Sequence, residues 1–217
     1  MSPLTAEEFA AETGVSRETL SHLEAYAALL RQWNERINLV GRDSLRDPWR
    51  RHFLDAAQLL PFIPNAAQGL IDLGSGAGFP GLVLAIMGVP GVELIEADAR
   101  KCAFLREAAR IAAARVTIRN TRIETVPHHP VDVVTARGCA PLDKLLVLSQ
   151  QLIGPQTTCL FLKGERAEEE LTAALPAWTM TASLHPSRSD PRGVIVVLEQ
   201  IAHRTDKRTG GAEGGCA

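Results

Sequence analysis

The sequence predicts an α/β fold: a mostly parallel, seven-stranded sheet with helices on both faces, ending in an antiparallel hairpin and preceded by a helical extension. Three observations predict it. From Gly69 onward short apolar runs alternate with segments of helical period, a glycine loop (GSGAG) joins the first run to the first helix, and the last run follows a Gly/Pro-rich turn instead of a helix. Strands alternating with helices imply parallel crossovers and a sheet buried on both faces. Two strands joined by a turn can only be antiparallel.

In the N-terminal part, Ser16 is a helix N-cap with Glu18 in the first turn, and Leu20, Leu23, Ala27, Leu30 and Ile37 recur at helical spacing. Pro48, Pro61 and Pro64 punctuate the stretch from Arg42 to Gln68, which reads as short helices, one of them from Arg50 to Leu60. Residues 1–66 form the helical extension. The sheet domain, 67–200, reads in order as strand GLIDLG, a helix from Gly78 to Met87, strand VELIEAD, a helix from Ala99 to Ala114, and strand RVTIRN. Strand VDVVTAR, a helix from Leu142 to Leu152, strand TTCLFLKG and a helix from Glu165 to Ala174 come next, with a strand and turn in TASLHPSRSDPRG and a last strand VIVVLEQ. From Ile201 the chain turns polar and Gly-rich, so 201–217 is expected to be a disordered tail.

A chain of 217 residues with 46% hydrophobic and 22% charged residues can bury a full core. No run approaches the roughly 20 apolar residues of a membrane span, and the start is acidic where a signal peptide would be basic and then apolar, so a cytoplasmic protein without membrane contact is expected. Cys102, Cys139, Cys159 and Cys216 lie far apart with no metal-ligand spacing, and the adjacent His128 and His129 would point to opposite sides of a strand, so no metal site is expected. The net charge of −2 hides an asymmetry. Residues 100–122 carry seven bases against Glu107, and Arg31, Arg36, Arg42, Arg46, Arg50 and Arg51 face only Glu35, Asp43 and Asp47. A phosphate-facing surface needs such clusters, although a solvated helix face also produces them.

Chemistry concentrates in D72-L-G-S-G-A-G-F-P-G81, directly after a strand and opening a helix. Gly74, Gly76 and Gly78 make a tight turn where such sheets bind ligands, with no Cβ to obstruct a ligand crossing the strand ends. Asp72 can face a ligand amine, and Glu96, ending the second strand, can accept hydrogen bonds from ribose hydroxyls. A dinucleotide would place its pyrophosphate at the helix N-terminus behind a G-x-G-x-x-G loop. Here the spacing is G-x-G-x-G and an acid stands beside the first glycine, which suits the zwitterionic methionyl end of S-adenosylmethionine better than a pyrophosphate.

With W33-N-E-R-I-N-L39, R51-H-F-L-D55, E96-A-D-A-R-K-C-A-F-L-R106, R122-I-E124, T135-A-R-G138 and F161-L-K-G164 added, the sequence resembles the bacterial 16S rRNA guanine-N7 methyltransferase family, also called RsmG or glucose-inhibited division protein B. The resemblance implies a Rossmann-like class I methyltransferase acting as a monomer on 16S rRNA or the small ribosomal subunit. It implies backbone contact to the cofactor at Gly74, a pocket wall at Phe79, an adenine contact at Ile123 and Glu124, and closure of the site by Arg137. Ile123 reads equally well as a core residue. Arg137 and Lys163 are the expected RNA contacts. His52 and Asp55 match a family pattern that commonly continues with serine where Ala56 stands, and a helix-stabilising or packing role is expected for them. No catalytic base is expected, because guanine N7 already carries a free lone pair and transfer needs mainly positioning. An arginine forked onto O6 and N7 would block that lone pair, so Arg137 and Lys163 should hold O6, phosphate or cofactor. A small-molecule methyltransferase and an RNA-binding module without turnover are the competing readings.

Overall fold

The computed structural model describes residues 2–204. Helix α1 (Ala6–Thr13) begins at a capping box in which Thr5 and Glu8 satisfy each other's amides, and it stops at Gly14 in the left-handed conformation, φ 71°. Such a cap contributes about 1 kcal/mol. The Thr5-to-Glu8 spacing signals this separate helix, which the periodicity from Ser16 does not. Helix α2 (Arg17–Asn34) starts at the expected cap, Ser16. It ends before Ile37 because the Asn34 side chain accepts the amides of Leu39 and Val40 and turns the chain.

The helix expected from Arg50 to Leu60 is instead a π-helical turn, Trp49–Leu54, running into one turn of α3 (Asp55–Ala57). Widened turns of this kind are rare and concentrate at functional sites. This one buries Trp49, His52, Phe53 and Leu54 and leaves Arg51 exposed.

The sheet contains β1 (Leu70–Leu73), β2 (Val92–Glu96), β3 (Val116–Asn120), β4 (Val133–Arg137), β5 (Thr158–Lys163), β6 (Trp178–Pro186) and β7 (Val194–His203). Their order is β3-β2-β1-β4-β5-β7-β6, with β1 to β5 parallel and β7 antiparallel to both β5 and β6. The seven strands and terminal hairpin are as expected. Strand β6 begins at Trp178, earlier than the expected TASLHP run, because the indole is buried. Strand β7 runs on to His203, past the expected boundary, because Ile201 is buried too. Residues 205–217, most of the expected tail and including Cys216, lie outside the described residues.

Helices α4 (Gly81–Ile86) and α5 (Ala99–Ile111) cover one face of the sheet, α6 (Leu142–Ser149) and α7 (Ala167–Ala174) the other. The helical extension is no loose appendage. Phe9, Tyr26 and Phe53 share one continuous core with Leu70, Leu94 and Phe104, so α2 lies over α4 and α5. Register aligns the strand ends along one edge: Leu73 beside Ile95 and Ala136, Arg137 beside Leu162, and Lys163 beside Val194.

Candidate active site

On the β1–β2 side of that edge, Gly74 and Gly76 adopt φ 63° and 57°. A Cβ on Gly74 would stand 2.8 Å from Cys139 Sγ. Gly78 and Gly81 face inward, where a Cβ would meet the Tyr26 hydroxyl at 2.8 Å and the Leu94 side chain at 2.5 Å. Only the first two glycines therefore serve the mouth of the crevice, and the others let helices close on the strand. Glu96 locks the turn: its Oε2 accepts the Gly76 amide at 2.9 Å and its Oε1 the Asp98 amide at 2.8 Å. Each oxygen keeps a second lone pair for a hydroxyl.

Asp72 is fully buried. Its Oδ1 accepts the Thr135 hydroxyl at 2.8 Å, while Oδ2 has no partner among the described residues. Burial pushes its carboxyl up to about 6, against the hydrogen bond from Thr135 and the weaker pull of the nearby Ser75 hydroxyl, the Gly81 amide and the Arg137 charge. A buried polar atom left unsatisfied in a native fold needs an explanation, and an incoming ammonium supplies one. These residues fit S-adenosylmethionine on that ground. The Cys139 thiol is raised first by burial and then by the charges of Asp72 and Glu96, with Glu124 adding to them and Lys163 opposing. The charges of Asp72, Glu96 and Glu124 thus all act on the one thiol. Ile123 lies in a 3-10 turn (Ile123–Thr125), half-buried against the second core, and Glu124 beside it is exposed.

Phe79 is buried, and its ring contacts explain two other residues. His52 stacks on it at 4.9 Å, Tyr26 at 5.4 Å, and the Arg137 guanidinium lies 4.8 Å from its centroid. Phe79 is thus packed within the first core, among Tyr26, Phe53, His52 and Arg137. Tyr26, which sequence reasoning missed, donates its hydroxyl to the Ala77 carbonyl in the glycine loop. Burial raises its pKa, so the proton that donates is held. No pattern marks this residue beyond its being the chain's single tyrosine.

Arg137 has partners inside the fold, Asp55 Oδ2 at 3.3 Å and the Arg51 carbonyl at 3.2 Å. His52 is buried, bonded to Ser44 Oγ at 2.8 Å, and lowered to about 3 by burial, Arg137 and Arg51, so it is neutral. Asp55 does more than pack, because its carboxylate neutralises Arg137. Lys163, expected on the RNA, is committed internally, its buried ammonium bonded to Glu170 at 2.8 Å and to the Ala140 carbonyl.

Beyond Arg137, a cavity of about 220 Å³ opens at the ends of β4, β5 and β7, lined by Arg51, Asp55, Arg137, Ser189 and Asp190. Its far wall is the loop before β7. Asp55 Oδ1 accepts the Ser189 hydroxyl at 2.6 Å, Arg51 pairs with Asp190 at 2.5 Å, and Gln58 holds Ser187 and the Arg188 amide.

The basic stretch from 100 to 122 is less free than its composition suggests. Arg100, Arg110 and Arg119 pair with Asp98, Glu107 and Glu93, whereas Arg106, Arg115 and Arg122 are exposed and make no ion pair among the described residues. No cluster of metal-ligating side chains occurs among the described residues.

A sheet in this order with an acid-lined glycine turn at β1 defines a Rossmann-like, S-adenosylmethionine-dependent methyltransferase. Solved structures agree on the fold. Ribosomal protein L11 methylase from Lactobacillus delbrueckii superposes with TM-score 0.57 at 12% identity, covering 67% of this chain and 76% of that one. Glycopeptide N-methyltransferase MtfA complexed with S-adenosyl-L-methionine gives 0.59 at 10% identity, covering 68% and 93%. The family is set by sequence: a family model described as rRNA small subunit methyltransferase G (GidB) matches residues 19–188, and the chain belongs to that family. A ribosomal RNA small subunit methyltransferase G of Rhodospirillum rubrum is 54% identical over 201 residues, 93% of this chain and 100% of the relative. One of the same name from Gluconobacter oxydans is 50% identical over 189 residues, 87% and 97%.

Proposed function

We propose that this protein transfers a methyl group from S-adenosylmethionine to N7 of a guanine in small-subunit (16S) ribosomal RNA. The observation that carries the reading is the division of one sheet edge into an acid-lined crevice with an unpartnered carboxylate oxygen and, beside it, a cavity walled by two arginines. The cofactor supplies an electrophilic methyl group on a sulfonium. Asp72, Gly74, Gly76 and Glu96 would hold it, with Ile123 and Glu124 at its adenine and Arg137 closing the site over Phe79. Guanine N7 needs no proton removed, so the chain's task is to bring two partners in line and exclude water. Arg137 keeps its guanidinium at the border of crevice and cavity, where it can donate to O6 without covering N7. A monomer acting in the cytoplasm belongs to the same reading; no helix among the described residues is long and apolar enough to cross a membrane.

The test is radiolabelled methyl donor with stripped 16S rRNA and with small subunits, followed by reduction and aniline cleavage. Scission at one guanine is expected. A methyl found on a ribose oxygen, an exocyclic amine or an adenine overturns the reading, and label in small molecules alone replaces it with a small-molecule methyltransferase.

A further inference from the structure

The cofactor residues leave the cavity at the ends of β4, β5 and β7 without a role. We propose that it seats the acceptor guanine with its Watson–Crick edge on Asp190, which makes Asp190 the residue that selects guanine and turns N7 toward the methyl donor. The inference rests on guanine N7 being the acceptor.

Order along the sheet carries the argument. From the cofactor side outward stand β1 with Gly74, β4 with Arg137, β5 with Lys163, and then the loop of Ser189 and Asp190 that enters β7. Around the rim of guanine the order is N7, O6, then the adjacent donors N1–H and N2–H2. Laid along the edge, a guanine whose N7 faces the crevice brings O6 to a guanidinium donor and its two donors to a carboxylate. Neighbouring strands are about 4.8 Å apart, so β4 and β7 stand roughly 10 Å apart, room for a flat purine.

Two carboxylates line the cavity, and their hydrogen bonds separate their roles. Asp55 has a single acceptor site left, on Oδ2, and so cannot take two adjacent donors on two oxygens: Oδ1 accepts from Ser189 and Gln58, and Oδ2 from Arg137. Asp190 has one partner on each oxygen, the Arg192 amide on Oδ1 at 2.9 Å and Arg51 on Oδ2. Each oxygen keeps a lone pair, so together they can accept two adjacent N–H groups. Hydrogen bonds from the Arg192 amide and then Arg51 hold the Asp190 carboxyl below the usual carboxylate range, so it is an acceptor only at neutral pH. Adenine would offer this carboxylate the lone pair of its N1 and be repelled. Arg51, half-exposed above the cavity, is placed to meet the phosphate of a base turned out of its stack.

The experiment replaces the mapped guanine by inosine, which keeps N7, O6 and N1–H and lacks only the N2 amine. Wild-type protein should lose roughly tenfold or more in kcat/KM on inosine-containing RNA, the size of one hydrogen bond to a charged acceptor left unmade. Binding of the same two RNAs without methyl donor should show the same preference. Asp190→Asn, which presents one donor and one acceptor, should bring the guanine-to-inosine ratio close to one while calorimetric affinity for S-adenosylmethionine stays at the wild-type value. Equal use of inosine and guanine by the wild-type protein overturns the proposal, and so does an undiminished ratio in the folded variant. Absence of N7 methylation at any guanine would instead remove the functional reading beneath it.

Discussion

The two halves of the sheet edge are built in different ways. The turn of the crevice at β1 and β2 is nearly all local: the run from Asp72 to Gly81 supplies it, and one further carboxylate, Glu96, ties it down. The cavity at β4, β5 and β7 is assembled from segments far apart in the chain, with Arg51 meeting Asp190 across 139 residues and Asp55 meeting Ser189 across 134. A local turn is fixed by backbone conformation and fails all at once when a Cβ is added. A cavity held by side-chain pairs fails by degrees, and each pair can be removed singly. The structure thus joins a rigid turn to a cavity whose walls are held by separable side-chain pairs.

Gly74→Val tests the rigid half most severely. The position has φ 63°, and even a Cβ would stand 2.8 Å from Cys139 Sγ. Binding of S-adenosylmethionine should fall below calorimetric detection while thermal melting stays cooperative. Wild-type affinity in that variant would show that the turn does not hold the cofactor, and tight binding of a nicotinamide dinucleotide would replace the assignment.

Asp72 gives the next largest effect, and it depends on pH. Burial raises its carboxyl from 3.8 to about 6, so the folded chain holds that proton more tightly than the unfolded chain does. The associated stability is complete below 3.8 and is lost as pH rises through about 6, amounting to about 3 kcal/mol. Melting of the cofactor-free protein should show this loss between those values, and Asp72→Asn should flatten it. An ammonium partner favours the charged form, so cofactor affinity should weaken as pH falls below about 6 in the wild type and not in Asp72→Asn. A pH-independent affinity in both would remove Asp72 from the ammonium site.

Gln58→Ala probes the adjustable half. Gln58 is buried and spans Asp55, Ser187 and the Arg188 amide, so its loss leaves hydrogen bonds unmade at a cost of about 1–3 kcal/mol. If the cavity binds RNA, KM for RNA should rise several-fold with cofactor affinity unchanged. A change in both would show that the two halves are coupled.

The same division sets what was legible in the sequence. Strand and helix periods, the terminal hairpin and the glycine turn are local patterns, and they predict seven strands and the crevice. The inward duty of Gly78 and Gly81 was not legible, because what a Cβ would strike there, Tyr26 and Leu94, is set by packing. Nor was the wall of the cavity: SRSD looks like a turn, and nothing within it says that Asp190 meets an arginine of a π-helical turn. Lys163 shows the converse limit: its motif marks a cation, and only the fold shows that the cation pairs with Glu170.

The smallest effect concerns the approach of RNA to both halves, and it separates composition from geometry. Seven bases between 100 and 122 suggest a uniform phosphate-binding face, but three of them already pair with carboxylates in the fold. Such exposed pairs contribute little to stability, yet they lower the local potential that a phosphate would meet. Arg106 and Arg115, like Arg122, are exposed and unpaired among the described residues, so they are among those able to release counterions. Replacing both by alanine should reduce the log–log salt slope of RNA binding by about 0.9 or less for each phosphate no longer neutralised. Replacing the paired Arg110 and Arg119 should change the slope less. If the two double variants behave alike, the face acts only through its total charge. If neither changes the slope, RNA reaches the site over Arg36, Arg42 and Arg51 instead, on the side where the cavity opens.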